Sequence, residues 1–222
     1  MLRGLAALAV ASAVWTGGAP VWQAARAASA QADVRQLRID REPDGLYLYA
    51  TLRLVLTPAI EDALIKGVPM FFLAEVDIVR ERWYWSDRMV AQARRHLRLA
   101  YHPLTRRWRL NVASGQITPG NLGLALNLSF DSLEEALASM QRLSGWKIAE
   151  PGAVEADTAY KVDFRFGLDM AQLPRPFQIG ALGQSDWNLS TSLTQTLPPA
   201  AASLPATAPT APSAPAPSRS GD

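Results

Sequence analysis

The sequence predicts one mainly β domain of the α+β kind, an antiparallel sheet or β-sandwich carrying two short helices. Three observations predict it. Several segments alternate apolar and polar residues with a period of two. Short turns rich in Pro and Gly join pairs of these segments. Two stretches carry helix caps. Hairpins imply antiparallel pairing, and an apolar sheet face must be covered by another layer. A chain of 222 residues fits a single domain.

Leu37 and Ile39 alternate with Arg38 and Asp40, and Pro43-Asp44-Gly45 follows as a turn. Leu46, Leu48, Ala50, Leu52, Leu54 and Leu56 then occupy every second place, which predicts a second strand hairpinned to the first. Thr57-Pro58 opens a short helix, with Thr57 as N-cap, Pro58 at the first helical position and Gly67 as the stop. Val68 to Val79 reads as a long strand whose inner face is Phe72, Ala74, Val76 and Ile78. Val90 to Tyr101 and Arg107 to Val112 flank Pro103-Leu104-Thr105 as a second hairpin. Ser132 and Glu135 have capping-box spacing and open a second helix, with the stripe Leu133, Ala136, Leu137, Met140 and Leu143 and a stop at Gly145. Tyr160 to Phe166 alternates as another strand, and Phe177–Leu182 and Trp187–Leu189 are read as two short ones.

The ends differ from the middle. Arg3 begins a basic start, and Gly4 to Val14 is an apolar run shorter than the roughly 20 residues that span a bilayer. Two small-x-small sites follow, Ala25-Arg26-Ala27 and Ala28-Ser29-Ala30. Residues 1–30 therefore read as a secretory signal peptide cleaved after Ala30, with the first site as alternative and an uncleaved anchor or amphipathic arm as the competing reading. The expected location is periplasmic or secreted. Residues 31–195 are the expected β-rich domain. Residues 196–222, rich in Pro, Ala, Ser and Thr, cannot bury enough apolar surface to order and are expected to be a disordered spacer, with a polyproline-type ligand as alternative. No later stretch is long enough to cross a membrane.

The formal charge is +2, and removing Arg3 and Arg26 leaves zero, which argues against a nucleic-acid partner. Cys is absent, so thiolate chemistry and Cys-ligated metals are excluded. His96 and His102 lie six apart, about 20 Å along a strand at ~3.3 Å per residue, too far to share an ion, and are expected at the surface. No nucleophile elbow, phosphate loop or paired acid–base carboxylates are evident. The expectation is a protein that is not an enzyme and needs no cofactor and no metal.

The informative cluster is Arg-rich. Nine arginines between Arg80 and Arg109 face only Glu81 and Asp87. Arg80, Arg82, Trp83, Trp85, Arg88, Arg107, Trp108 and Arg109 form the candidate interaction surface, because Arg, Trp and Tyr are enriched at protein interfaces. The competing reading makes the Trp rings core, with arginines stacked on them or paired to Glu75, Asp77 and Asp163. The expected function is an exported binding or accessory module that meets a protein at the inner membrane. The alternative is a carrier of an apolar ligand or lipid, which a pocket of about 300 Å³ or more lined by Phe71, Phe72, Leu137 and Met140 would favour and a core filled solid would exclude.

The segments ALIKGVPMFFLAEVDIVRERWYWSD, LRLAYHPLTRRWRL, SFDSLEEALASMQRLSGW and YKVDFRFGLDMAQLPRPFQI, with DWNLS after the last, resemble the proteobacterial family called domain of unknown function 4390. The likeness runs from about Leu37 to Ser190. It implies an exported single domain whose gene neighbours that of a nitrogen-type sensor histidine kinase, and by analogy the sensor region of such a kinase is the expected partner at the inner membrane. It implies no catalytic residue, and the Pro/Ala tail lies outside the family pattern.

Overall fold

Alternation becomes strands at nearly every place where it is sustained. The chain runs β1 (Gln31–Glu42), β2 (Gly45–Val55), α1 (Pro58–Ile65), β3 (Met70–Arg80), β4 (Arg88–His102), β5 (Arg107–Ala113), β6 (Leu126–Phe130), α2 (Leu133–Met140), β7 (Arg142–Ala149), β8 (Tyr160–Leu168) and β9 (Ser190–Leu197). The structure, a computed structural model, describes residues 31–80, 88–115, 117, 120, 125–175 and 185–200. Among these residues the strands form a three-stranded sheet, β1-β2-β7, and a six-stranded sheet, β6-β5-β4-β3-β8-β9. Every neighbouring pair is antiparallel.

The two sheets share one core. Leu46, Leu48, Ala50, Leu52 and Leu54 project from β2, joined by Trp146 and Ile148 of β7. Phe72, Ala74, Val76 and Ile78 of β3, with Phe164 and Phe166 of β8, face them from the larger sheet. Phe72 stacks on Phe166 with centroids 5.9 Å apart. The period-two pattern of β3 thus has its expected inner face, because one parity meets the opposite sheet and the other does not.

The helices are capped as expected. Thr57 Oγ1 accepts from the Ile60 amide at 3.3 Å and donates to the Asp186 carbonyl at 2.8 Å, so one buried hydroxyl starts α1 and ties it to the 3-10 turn Ser185–Trp187. Gly67 ends α1 with φ of 84°. Ser132 Oγ accepts from the Glu135 amide at 3.2 Å, while Glu135 Oε2 accepts from the Asp131 amide at 3.2 Å.

Four expectations need correction. The second helix stops at Met140 rather than before Gly145, and Leu143 belongs to β7, where it is buried beside Ala50 of β2. Helical and strand spacing both bury Leu143, and pairing with β2 decides between them. Trp187 sits in a 3-10 turn, and the strand begins only at Ser190. Leu197, assigned by composition to the tail, ends β9 opposite Tyr160 and is buried. His96 is buried rather than at the surface, because Leu73 of β3 and Ala113 of β5 flank it on the outer face. The expected strand at Phe177–Leu182 lies outside the described residues, as do residues 1–30 and 201–222.

Candidate functional site

The register of β4 decides which of the predicted surface residues meet. Arg80 and Arg88 are direct partners where β3 and β4 join. Arg107 pairs with His102, and Trp108 with Tyr101, at the other end of β4. Fourteen residues of strand separate the two groups, about 45 Å at roughly 3.3 Å per residue. Arg82, Trp83 and Trp85 lie outside the described residues, in the segment that connects Arg80 to Arg88 in sequence. The five of the eight that are described, Arg80, Arg88, Arg107, Trp108 and Arg109, therefore fall into two groups at opposite ends of β4.

Trp108 is core. It is 7% exposed, and its ring lies 4.9 Å from that of Tyr101. Arg107 pairs with Asp131 at 2.7 Å, whereas Arg109 is exposed with no ion pair among the described residues. At the opposite end Arg80 pairs with Glu155 at 3.0 Å, and Arg88 is exposed with no ion pair among the described residues. A hollow of about 260 Å³ lies between Arg80, Arg88, Val90, Gly152 and Tyr160. Met89 beside it is 55% exposed.

The outer face of the large sheet carries a charge ladder. Arg94 Nε bonds Glu75 at 2.7 Å, and Arg165 bonds Asp77 and lies 3.8 Å from Glu75. Asp77, 6% exposed, also accepts from Gln92 at 2.8 Å. Asp163 accepts from Thr194 at 2.6 Å. Cross-strand pairing of this kind fixes register and compensates the buried carboxylate of Asp77. A shallow cleft of about 510 Å³ opens beyond this ladder over Gly167, between Leu73, Arg165, Asp169, Met170 and Ser190. Glu75 and Asp169 set two carboxylates against the one guanidinium of Arg165 in its lining, and Arg165 also bonds Asp77, so the cleft carries an excess of negative charge. His96 lies in the same cross-strand row as Leu73, with Nδ1 buried and without a hydrogen-bond partner. Burial holds its pKa below the usual imidazole value; Arg94 adds to the shift, and Asp169 and Glu75 oppose it. The pKa of His102 is lowered as well, by burial and then by Arg109 and Arg98.

Sequence reasoning missed Arg95. Arg94 and Arg95 alternate like any strand pair, so Arg95 falls on the inner face, opposite Ala74 of β3. Its guanidinium lies 4.9 Å from the Trp146 ring centroid across the sandwich. Burial pulls its pKa down from the ordinary value. A cleft of about 230 Å³ starts beside it and runs between the inner faces of β4–β6 and the end of α2. The parity of Arg95 with Leu97 and Leu99 is the signal that was legible in the sequence. The expected pocket between Phe71 and Phe72 does not form, because these neighbours project to opposite faces: Phe72 is core, and Phe71 lies outside, 6.0 Å from the Arg98 guanidinium.

Among the described residues, no group of three or more His, Asp and Glu side chains is placed to hold a metal ion, and no helix is long and apolar enough to cross a membrane. No curated protein and no solved structure matches the chain. The family profile described as Domain of unknown function (DUF4390) matches residues 29–196, three quarters of the sequence, and the chain belongs to that family.

Proposed function

We propose that this member of the DUF4390 family is an exported, non-enzymatic binding module that meets a protein partner with the joined end of β3 and β4. The observation that supports this reading is the Arg80–Arg88 pair. Like charges directly opposite on a sheet are unfavourable, and among the described residues only Arg80 of the two has a carboxylate beside it, the half-exposed Glu155. Between the two arginines the sequence carries Arg82, Trp83, Tyr84 and Trp85, residue types that dominate binding energy at interfaces. Such an end attracts an acidic surface and steers association with it. The signal-peptide pattern of residues 1–30 supports a periplasmic encounter. A protein of the inner membrane, such as a sensor histidine kinase, is the partner to which the family resemblance points.

Arg88→Glu tests the reading, because it reverses the charge without disturbing a described contact. The expected result is unchanged circular dichroism and at least a tenfold loss of affinity for the envelope protein that the wild type captures. The double substitution Trp83→Ala with Trp85→Ala is expected to act in the same direction. Full retention by the folded Arg88→Glu protein contradicts the proposal. A second reading, carriage of an apolar ligand, is favoured by the cleft beside Arg95.

A further inference from the structure

Among the described arginines of the basic stretch, Arg95 is the one that stands between the sheets. Its row on β4 places it next to an apolar lattice in which Leu97 pairs with Val112, and Val112 with Leu126; one row further, Leu99 pairs with Leu110, and Leu110 with Leu128. Met140 at the end of α2 and Leu143 at the start of β7 cover this lattice and line the cleft. Leu126, on the edge strand β6, is 60% exposed where the cleft reaches the surface. Arg95 therefore brings a charge to a cleft whose sheet side is aliphatic, while Ser139, Arg142 and Ser144 add polar groups on the side of α2 and β7.

The charge along the cleft is not balanced. Among the described residues neither Arg95 nor Arg142, the second arginine along the cleft, forms an ion pair. By contrast Arg94, the next residue on the outer face, has Glu75 at 2.7 Å. Arg95 is half-buried, and drawing a guanidinium even partly out of water without a counter-charge is unfavourable. The Trp146 ring offers only its π face, which offsets part of that penalty. A ligand with an anionic head and one aliphatic tail would supply the missing charge and cover the leucines.

We propose that the cleft binds a single-chain fatty-acid anion, its carboxylate at Arg95 and its tail along Leu97, Leu110 and Leu128 toward Met140. The proposal deepens the second reading, apolar-ligand carriage, and rests on it. A guanidinium presents paired N–H donors to a carboxylate, a geometry that neither a hydroxyl nor a cation satisfies. The small volume of the cleft selects one chain rather than the two of a phospholipid.

The test uses protein purified after expression of the full chain, stripped of lipid, and titrated with decanoate, decanol and decyltrimethylammonium below their micelle concentrations. Calorimetry and Trp fluorescence report binding. Saturable binding of decanoate, at least tenfold tighter than that of decanol, with no detectable binding of the ammonium, is the expected result. Arg95→Gln is expected to bring decanoate down to the level of decanol, and Arg95→Lys to recover part of the difference. Leu128→Trp, which fills the cleft and leaves the charge in place, is expected to abolish both. Should Arg95→Gln fail to fold, the headgroup comparison on the wild type and the Leu128→Trp protein decide the matter. Decanol binding as tightly as decanoate overturns the anion site and leaves apolar carriage standing. No binding of any of the three overturns both. Undiminished decanoate binding by folded Arg95→Gln overturns the assignment of the head to Arg95.

Discussion

Single residues carry more than one duty in this fold, and His96 shows how that arises. A polar residue on the outward parity of a strand is ordinarily solvated, yet Leu73 and Ala113 lie on either side of it in the same row and leave it 8% exposed. Burial favours the neutral imidazole, so the folded protein resists a proton that the unfolded chain accepts below about 6.5. The sign follows: the unfolded state binds more protons below that value, and stability falls as the pH drops from 6.5 toward the lower folded pKa. The carboxylates of Asp169 and Glu75 temper the shift and Arg94 strengthens it. Thermal unfolding between pH 7 and pH 5 is expected to show a steeper loss of stability for the wild type than for His96→Gln, with His102 contributing in the same direction in both proteins. Equal slopes would remove His96 from the account. Burial of His96 was hidden in the sequence, because the neighbours that cover it come from β3 and β5, remote along the chain. Trp108 was open to two readings for the same reason, and the Tyr101 ring beside it decides for core.

Elements were legible where local chemistry alone specifies them. Thr57-Pro58, Ser132 with Glu135, and the Asp44-Gly45 turn each act within four residues, and each formed as its chemistry requires. The α2–β7 boundary was not legible, because Gly145 with φ of 56° suits a helix stop as well as an irregular strand, and the register shift between Leu48 and Ala50 of β2 absorbs it inside β7. β6 was also missed: five residues with two inward leucines are too short for periodicity to announce. Gly45 offers a sharp check at this scale. Its φ is 145°, and a Cβ there would sit 2.3 Å from the Ala149 carbonyl oxygen of β7. Gly45→Ala therefore strains the turn and pushes β7 from β2, and is expected to lower stability by roughly 2–3 kcal/mol. Urea unfolding measures this, and a loss below about 0.5 kcal/mol would contradict the described register.

At the scale of the molecule, two antiparallel sheets enclose one apolar core and leave a polar ladder on the outer face of the larger sheet. The arginine-rich stretch is parcelled out by this architecture. Arg94 braces the outer ladder, Arg95 enters the sandwich, Arg107 is paired beside the β4–β5 turn, and Arg80 with Arg88 frames the joined end of β3 and β4. Composition reported the local excess of positive charge and could not report this separation, which depends on strand length and parity. The central claim is that the partner is met at the Arg80–Arg88 end and not at the other end of β4. Site-specific photo-crosslinking measures it most directly, with the reactive residue replacing either Met89, 55% exposed at the first end, or Leu104, fully exposed in the turn at the other. The account predicts one envelope protein trapped in living cells from position 89 and none from position 104. Trapping of that protein from position 104 alone, or equally from both, would contradict it.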